Sequence, residues 1–307
     1  MAAITAGMVK ELREMTGAGM MDCKKALAAT EGDMEKAVEF LREKGLAAAA
    51  KKASRIAAEG VVTTLVEGNK AVVVEVNSET DFVAKNADFQ AYVAEVAKQA
   101  IASESADMDA FMAETWHADT TKTVAEELSS KIAVIGEKLS IRRFEQVTAD
   151  CVVDYIHGGG RIGVLVAAEA SVVNDDVKEA LKNVAMQVAA LRPAYVCREE
   201  MSEEFIQKEK DILFAAAKNE KPDAPEKVLM GMVNGRLNKE LKEFCLVDQV
   251  YVKAEDGKQT VGQYLAEVSK AVGATVKVAK FVRYETGEGL EKKSENFAEE
   301  VAKQMGQ

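Results

Sequence analysis

The fold of this chain is decided around one stretch, Asn77-Ser-Glu-Thr-Asp-Phe-Val-Ala-Lys-Asn86. A run rich in β-branched residues, Ala71–Val76, precedes it and predicts a strand. Apolar residues then recur at helical spacing from Phe89 to Ala100, which predicts an amphipathic helix. The quoted stretch is therefore predicted to be a strand-to-helix turn.

Two kinds of residue stand out within this turn. Thr80 or Ser78 is predicted to cap the helix, and Asp81 suits the positive end of the helix dipole. Phe82 fits neither role, because it lies outside the apolar register of the helix and within a polar loop. A large ring in that setting is more often an anchor for a binding partner than a part of the core.

Composition and charge limit the function classes. The 307 residues suffice for two or three compact units, and 48% hydrophobic with 30% charged residues is typical of a soluble globular protein. The net charge of −11 disfavours nucleic-acid binding, which needs Lys and Arg to neutralise phosphates. It permits a protein partner with a basic surface.

Cysteine usage predicts a cytoplasmic protein. Cys23, Cys151, Cys197 and Cys245 are far apart, form no C-x-x-C pair and follow no signal-peptide pattern, so reduced thiols are expected. No apolar run approaches the roughly 18 residues that span a membrane, so no membrane association is expected. With only two histidines, we expect no metal site, and no cofactor.

The N-terminal part, residues 1–55, is predicted to be a three-helix domain similar to a ubiquitin-associated domain, followed by the start of an Ala-rich linker. The residues expected to face inward in its first two helices are Met8, Leu12, Met15, Met20, Cys23 and Leu27. Met21 points away from this stripe, beside Lys24, and is a candidate partner contact. Gly45 is predicted to end the third helix.

An internal repeat organises the core, which we assign to the α+β class. Two β-hairpins, at residues 61–76 and 152–168, are each followed by an amphipathic helix. They predict two related subdomains, 56–140 and 141–197 with 244–288, each a sheet with one helical face. Strands at Ile141–Val147, Gln249–Lys253 and Thr275–Glu285 are expected to belong to the second sheet.

The remaining segments are accessory to this core. Residues 103–125 are predicted to be an irregular insertion with short helical pieces. Residues 198–243 are predicted to be an antiparallel coiled-coil hairpin, because Lys221-Pro-Asp-Ala-Pro225 separates two amphipathic helices. A C-terminal module, 289–307, is predicted to contain a short helix at residues 296–305.

Two glycine motifs are similar to motifs of enzymes, but their sequence context does not support an enzymatic role. His157-Gly-Gly-Gly160 is similar to the oxyanion-hole run of lipases, but the chain has no Gly-x-Ser-x-Gly elbow. Gly158-x-Gly160-x-x-Gly163 matches a dinucleotide fingerprint, but a strand follows it where the fingerprint requires a helix. Both are interpreted as a hairpin turn with positive φ angles, and no enzymatic activity is predicted.

Two longer motifs carry a resemblance to a known family. Thr80–Asn86 resembles the signature loop of bacterial translation elongation factor Ts, and Leu12–Leu27 resembles the opening motif of the same family. Further similar landmarks extend the resemblance over nearly the whole chain. It implies a guanine-nucleotide exchange factor that binds elongation factor Tu with GDP, promotes GDP release and stays bound until GTP binds.

The resemblance also implies roles for individual residues. Thr80, Asp81, Phe82 and Val83 would form the loop that enters the partner near its Mg²⁺ site and disturbs the water around the ion. The other implied contacts to elongation factor Tu are Arg13, Met20, Met21, Lys24 and His157. The family pattern leaves self-association or a 2:2 complex open.

One alternative from another functional class is an adaptor. Its ubiquitin-associated-like domain would bind peptides and its coiled coil would oligomerise. The Thr80–Val83 loop distinguishes the two hypotheses, because an adaptor has no need for an exposed Asp-Phe pair on the core.

Overall fold

Two three-stranded antiparallel sheets form the centre of the computed structural model, which describes residues 4–16 and 18–292. In each sheet the strands lie in chain order. The strands are β1 (Glu59–Glu67), β2 (Lys70–Ser78), β3 (Ser140–Thr148), β4 (Cys151–His157), β5 (Ile162–Ala170) and β6 (Val276–Glu285).

Helices surround the sheets and extend from them. They are α1 (Ala6–Thr16), α2 (Met20–Ala29), α3 (Met34–Lys52), α4 (Asp81–Ala84), α5 (Ala87–Ala102), α6 (Met108–Ala113), α7 (Val124–Ile135), α8 (Asp175–Leu191), α9 (Glu203–Glu220), α10 (Glu226–Phe244) and α11 (Val261–Val272).

The core is a sandwich in which the two sheets face each other and each carries a helix on its outer face. Strand β2 is buried on both faces, which explains its continuous apolar run. The residues between the two sheets are Val62, Ala71, Val73, Val147, Val152, Leu165, Ala167, Val282 and Tyr284. Helix α5 covers the first sheet and α8 covers the second.

Both predicted hairpin-plus-helix units are confirmed. Strands β1 and β2 pair antiparallel, as do β4 and β5. The apolar side chains on the inner faces of α5 and α8 are all buried: Phe89, Tyr92, Val93, Val96, Ala97, Ala100, Val177, Leu181, Val184, Ala185 and Val188.

The assignment of β3 to the second sheet was wrong. Strand β3 pairs antiparallel with β2, with Ile141 opposite Val76, so it completes the first sheet. The subdomain boundary predicted at residue 140 therefore falls at the start of a strand of the first sheet. Apolar alternation predicts a strand but carries no information on its pairing partner, and here α7 and the turn at Gly136 return the chain beside β2.

The prediction of a strand at Gln249–Lys253 was also wrong. Only one bridge forms there, between Val250 and Thr260, and residues 252–253 turn. Val250 and Val252 are exposed, whereas Tyr251 is buried and stacks on the ring of Tyr264 at 4.3 Å between centroids. The alternation thus reflects one buried aromatic ring and not a sheet face.

In the N-terminal unit the first three helices are confirmed, but the inward stripe differs from the prediction. Its buried residues are Val9, Leu12, Cys23, Ala26, Leu27 and Ala37. Met15 and Met20, predicted inward, are exposed. Helix α3 does not end at Gly45 but continues to Lys52, and Gly45 packs against α7, where a Cβ would lie 3.4 Å from the carbonyl oxygen of Ser129.

Helices α9 and α10 form a helical hairpin close to the predicted bounds. Its buried residues are Met201, Leu213, Ala217, Leu229, Val233, Leu237, Leu241 and Cys245. Ile212 and Val228, on the same two helices, are exposed. In the insertion, α6 is the short helical piece and Trp116 is buried. The helix predicted at residues 296–305 lies outside the described residues.

Candidate functional site

The predicted Asp-Phe loop contains a helical turn of its own, α4. The Thr80 side chain caps this turn and accepts a hydrogen bond from the Val83 amide at 3.3 Å. A second cap, Asn86, then starts the long helix α5 and accepts from the Asp88 amide at 2.8 Å. Thr80 is thus confirmed as a cap, but of a separate turn and not of α5.

Phe82 lies on the outside of this turn. Its side chain is 82% exposed, the highest value for a large apolar side chain within residues 4–16 and 18–292. Val83 is half-buried against the core beneath α5, and Ala84 is buried. The turn therefore has an inner side fixed to the fold and an outer side that presents an aromatic ring to solvent.

The carboxylate of Asp81 is already paired in the free protein. The Lys85 ammonium donates a hydrogen bond to Asp81 Oδ2 at 2.7 Å, and this bond lowers the pKa of Asp81. Asp81 therefore remains ionised and exposed beside Phe82. Sequence reasoning did not single out Lys85, although the i, i+4 spacing of an acid and a lysine was the available signal.

A pair of glutamates holds the start of the turn from below. Glu137 Oε2 accepts hydrogen bonds from the backbone amides of Glu79 (3.1 Å) and Thr80 (3.0 Å), and Glu137 Oε1 accepts from the Thr80 hydroxyl at 2.7 Å. Glu79 in turn accepts from the Lys138 amide (2.6 Å) and from Arg55 (3.2 Å). We call these reciprocal bonds between residues 79–80 and 137–138 the carboxylate clasp.

The glycine turn of the second hairpin lies beside α4. A cleft of about 190 Å³ separates them, lined on one side by Asp81 and Lys85 and on the other by Gly158 and Arg161. The φ angles of Gly158, Gly159 and Gly160 are 61°, 65° and 96°, which agrees with the predicted turn. The Gly160 carbonyl accepts from the Val62 amide at 2.7 Å, so this turn is docked on the first sheet.

His157 lies at the start of this turn. Its ring is exposed, and its Nδ1 is 3.1 Å from the hydroxyl of Tyr155. The cleft is lined by the residues that follow His157 and not by His157 itself. The structure thus brings the glycine turn to Asp81 and leaves the imidazole, bonded to Tyr155, exposed at the surface.

The candidate residues of the N-terminal unit are all on the surface. Met20 and Met21 are 59% and 62% exposed, and Arg13 and Lys24 are exposed as well. The C-terminal end of α1 lies near the loop, because Thr16 and Val83 line one groove of about 680 Å³. The N-terminal unit therefore flanks the turn that carries Phe82.

A buried charge links the two sheets. Glu75 on β2 is fully buried and accepts hydrogen bonds from Arg142 (3.0 Å), Arg143 (2.6 Å) and the Gly287 amide (2.8 Å). Burial raises the pKa of Glu75, but the hydrogen bonds outweigh it and the net pKa is lowered. The network fixes the turn after β6 against the first sheet.

Neither a metal-binding cluster nor a membrane-spanning helix is found in the described part of the chain. Within it, no group of three or more His, Cys, Asp or Glu side chains is arranged to hold a metal ion. Among the same residues, no helix combines the length and the apolar character needed to cross a bilayer.

Comparison with known proteins gives one family. A family model described as Elongation factor TS matches residues 79–288. Elongation factor Ts of Clostridium novyi (strain NT) is 54% identical over 308 residues, which cover 99% of each chain. Elongation factor Ts of Clostridioides difficile (strain 630) is 54% identical over 99% of this chain and 100% of its own. This chain belongs to the elongation factor Ts family.

Proposed function

We propose that this chain is a guanine-nucleotide exchange factor that binds elongation factor Tu with GDP in the cytoplasm and promotes release of the GDP. Family membership over the full length supports this function. The chain would catalyse no covalent step and hold no cofactor. The adaptor alternative is not favoured, since the matched relatives are named as elongation factors.

The exposed turn at Asp81 and Phe82 is the observation that carries the mechanism. Phe82 would insert into the partner, where burying a phenylalanine ring yields roughly 1.5–3 kcal/mol. Asp81 would bring its negative charge close to the partner's Mg²⁺ site and disturb the water around the ion. Thr80 and Val83 would complete the contact by fixing the turn.

Exchange requires differential binding. The factor must prefer the nucleotide-free partner, and linkage then requires GDP to weaken the factor's binding by the same ratio. A preference of about 10⁴-fold corresponds to about 5.5 kcal/mol, more than one ring supplies. The remainder would come from a broad interface, for which we propose contacts by Arg13, Met20, Met21, Lys24 and His157.

We also propose roles for the parts of the chain outside the core. The N-terminal unit, 1–55, would act as a ubiquitin-associated-like docking domain, and the hairpin at 198–243 as an antiparallel coiled coil that supports self-association or a 2:2 complex. The C-terminal module, 289–307, would add a contact to the GTP-binding domain of the partner. The core subdomains would hold these parts around the turn.

Release of a fluorescent GDP analogue from elongation factor Tu tests the proposal. The purified chain should raise the release rate in proportion to its concentration until the partner is saturated. A matched sample with Phe82→Ala should raise it far less. Equal release with and without the unaltered chain would overturn the proposed function.

A further inference from the structure

We propose that Glu137 is a positioning residue that sets the orientation of the Asp81–Phe82 turn, through the carboxylate clasp. The inference rests on the proposed function, because it concerns how the same turn is held ready for the partner. Glu137 itself does not belong to the turn: it follows α7 and lies far from Thr80 in sequence.

One carboxylate satisfies three donors at the start of the turn. The amides of Glu79 and Thr80 both point at Glu137 Oε2, and the Thr80 hydroxyl points at Oε1. Bonds to an ionised acceptor are stronger than those between neutral groups. The chain is therefore fixed at the two residues that come directly before Asp81.

The Thr80 hydroxyl transmits this constraint into α4. It donates its hydrogen to Glu137 and accepts a hydrogen bond from the Val83 amide. Because the hydroxyl hydrogen of Thr80 points to Glu137, the hydroxyl oxygen is oriented to accept from the Val83 amide. Glu137 in this way sets the start of the helical turn on which Phe82 stands.

The clasp is reciprocal, which makes it stiffer than a single contact. While Glu137 binds amides of residues 79–80, Glu79 binds the amide of Lys138, and its side chain is 9% exposed. Arg55, in the linker after α3, donates to Glu79, and its carbonyl accepts from the Lys138 ammonium at 2.8 Å. Three separate segments of chain therefore meet under the turn.

The functional consequence is a smaller entropy loss on binding. An exposed aromatic ring on a loose loop would have to be ordered when it enters the partner, and this ordering weakens binding. The clasp orders the backbone of the turn beforehand and leaves only the rotation of the ring to be fixed. Phe82 is thus exposed while the residues preceding it are immobilised.

The test compares Glu137→Ala with a matched carboxylate. Glu114 lies in the same subdomain and also accepts three hydrogen bonds, from Gln99, Ser103 and Ser105, but it does not contact the turn. We expect Glu137→Ala to slow GDP release from elongation factor Tu about tenfold and Glu114→Ala to leave it within about twofold. Equal effects of the two variants would reduce Glu137 to a general stabiliser of the subdomain and overturn the proposal.

A double variant separates positioning from stability. If Glu137 acts through Phe82, then Glu137→Ala should have little further effect on GDP release in a Phe82→Ala background. A full additional tenfold loss there would contradict the proposal. Glu137→Gln, which retains one acceptor oxygen, should restore part of the activity lost in Glu137→Ala.

Amide hydrogen exchange of the isolated chain distinguishes failure of this inference from failure of the proposed function. Glu137→Ala should accelerate exchange at Glu79 and Thr80 and leave the amides of β2 protected. Unchanged protection at both residues would overturn the clasp whatever the partner does. If the unaltered chain does not speed GDP release, the proposed function fails, and the amide result still decides whether the clasp exists.

Discussion

The same connection is built in two ways in this molecule. In the second subdomain, Ser171-Val-Val-Asn174 joins β5 to α8, and Asn174 caps the helix by accepting from the Val177 amide at 2.9 Å. In the first subdomain, residues 79–86 make the equivalent connection between β2 and α5 and include the turn α4. Four residues suffice to join the strand to the helix in the second subdomain, so the additional residues of the first, which form α4, are available for the contact proposed above.

The two subdomains also differ inside the sandwich. Glu75 and Ala167 are each the sixth residue of a nine-residue strand, β2 and β5, and both face the other sheet. In β5 the position holds a methyl group, and in β2 it holds a carboxylate with two arginine partners. The subdomain that carries Phe82 is thus also the one reinforced by a buried charge network.

The largest expected effect concerns this network. Glu75→Gln should lower the free energy of unfolding by about 3 kcal/mol, because Arg142 and Arg143 lose their buried partner. Chemical denaturation at pH 7 measures it, with Ala167→Ser as the matched change in β5. A loss below about 1 kcal/mol would show that the network does not reinforce the first subdomain.

The pH dependence of the stability difference between the unaltered chain and Glu75→Gln sharpens this prediction. The folded-state pKa of Glu75 is lowered, so its contribution is fully present above the usual pKa of a glutamate, near 4.5, and is lost as the pH falls through the lowered value. The difference in stability between the unaltered chain and Glu75→Gln should therefore shrink below pH 4.5. A difference that grows in acid would contradict the assigned direction.

The next effect tests the longer connection itself. Phe82→Ala should slow GDP release from elongation factor Tu roughly 30-fold, which corresponds to about 2 kcal/mol for an interface anchor. It should leave stability almost unchanged, whereas a buried phenylalanine would lose about 3–5 kcal/mol. Val173→Ala, at an exposed position of the short connection, is the control and should alter neither quantity. A sharply lower melting temperature with normal exchange would make Phe82 a core residue.

A smaller effect is expected from the charge beside Phe82. Asp81→Asn keeps the shape of the side chain but removes the negative charge and the ion pair with Lys85. We expect a loss of GDP release of about threefold, smaller than for Phe82→Ala, because the turn is held by the clasp and not by this exposed pair. Stopped-flow release rates on both variants decide the order, and a larger loss for Asp81→Asn would make the charge the principal contact.

The smallest effect is expected from the helical hairpin. Replacing residues 210–236 by a short linker removes its outer part and keeps the aromatic contacts of Tyr195, Phe205 and Phe244 at its base. GDP release should remain within about twofold, while self-association measured by light scattering should weaken. Loss of nearly all exchange in a folded deletion would make the hairpin part of the exchange site.

Local patterns in the sequence predicted the local structure well. The helical spacing from Phe89 to Ala100 predicted α5, and the change from a strand pattern to a helix pattern predicted the turn before it, because periodicity and capping signals lie within a few neighbouring residues. The exposure of Phe82 was predicted for the same reason. Its position outside the apolar register is visible in the sequence alone.

Contacts between residues far apart in the sequence could not be predicted. The pairing of β3 with β2 and the bonds from Glu137 to Thr80 join residues far apart in sequence, and no spacing rule connects them. The inward stripe of α1 and α2 failed for a related reason. Methionine is apolar enough to suggest burial, but Met20 stands at the first position of α2 and is exposed, whereas the small Ala26 is buried.

The turn after β6 has a consequence for the connectivity of the core. Gly287 has a φ of +70°, and a Cβ there would lie 2.1 Å from the carbonyl oxygen of Ala58. The chain thus leaves the second sheet at the point where it enters the first. Where two chain ends lie close together, they can be joined and the chain can be reopened at an exposed turn elsewhere. We therefore expect the core, residues 58–287, to accept circular permutation, with residue 287 linked to residue 58 and the chain reopened at the exposed Gly68 turn.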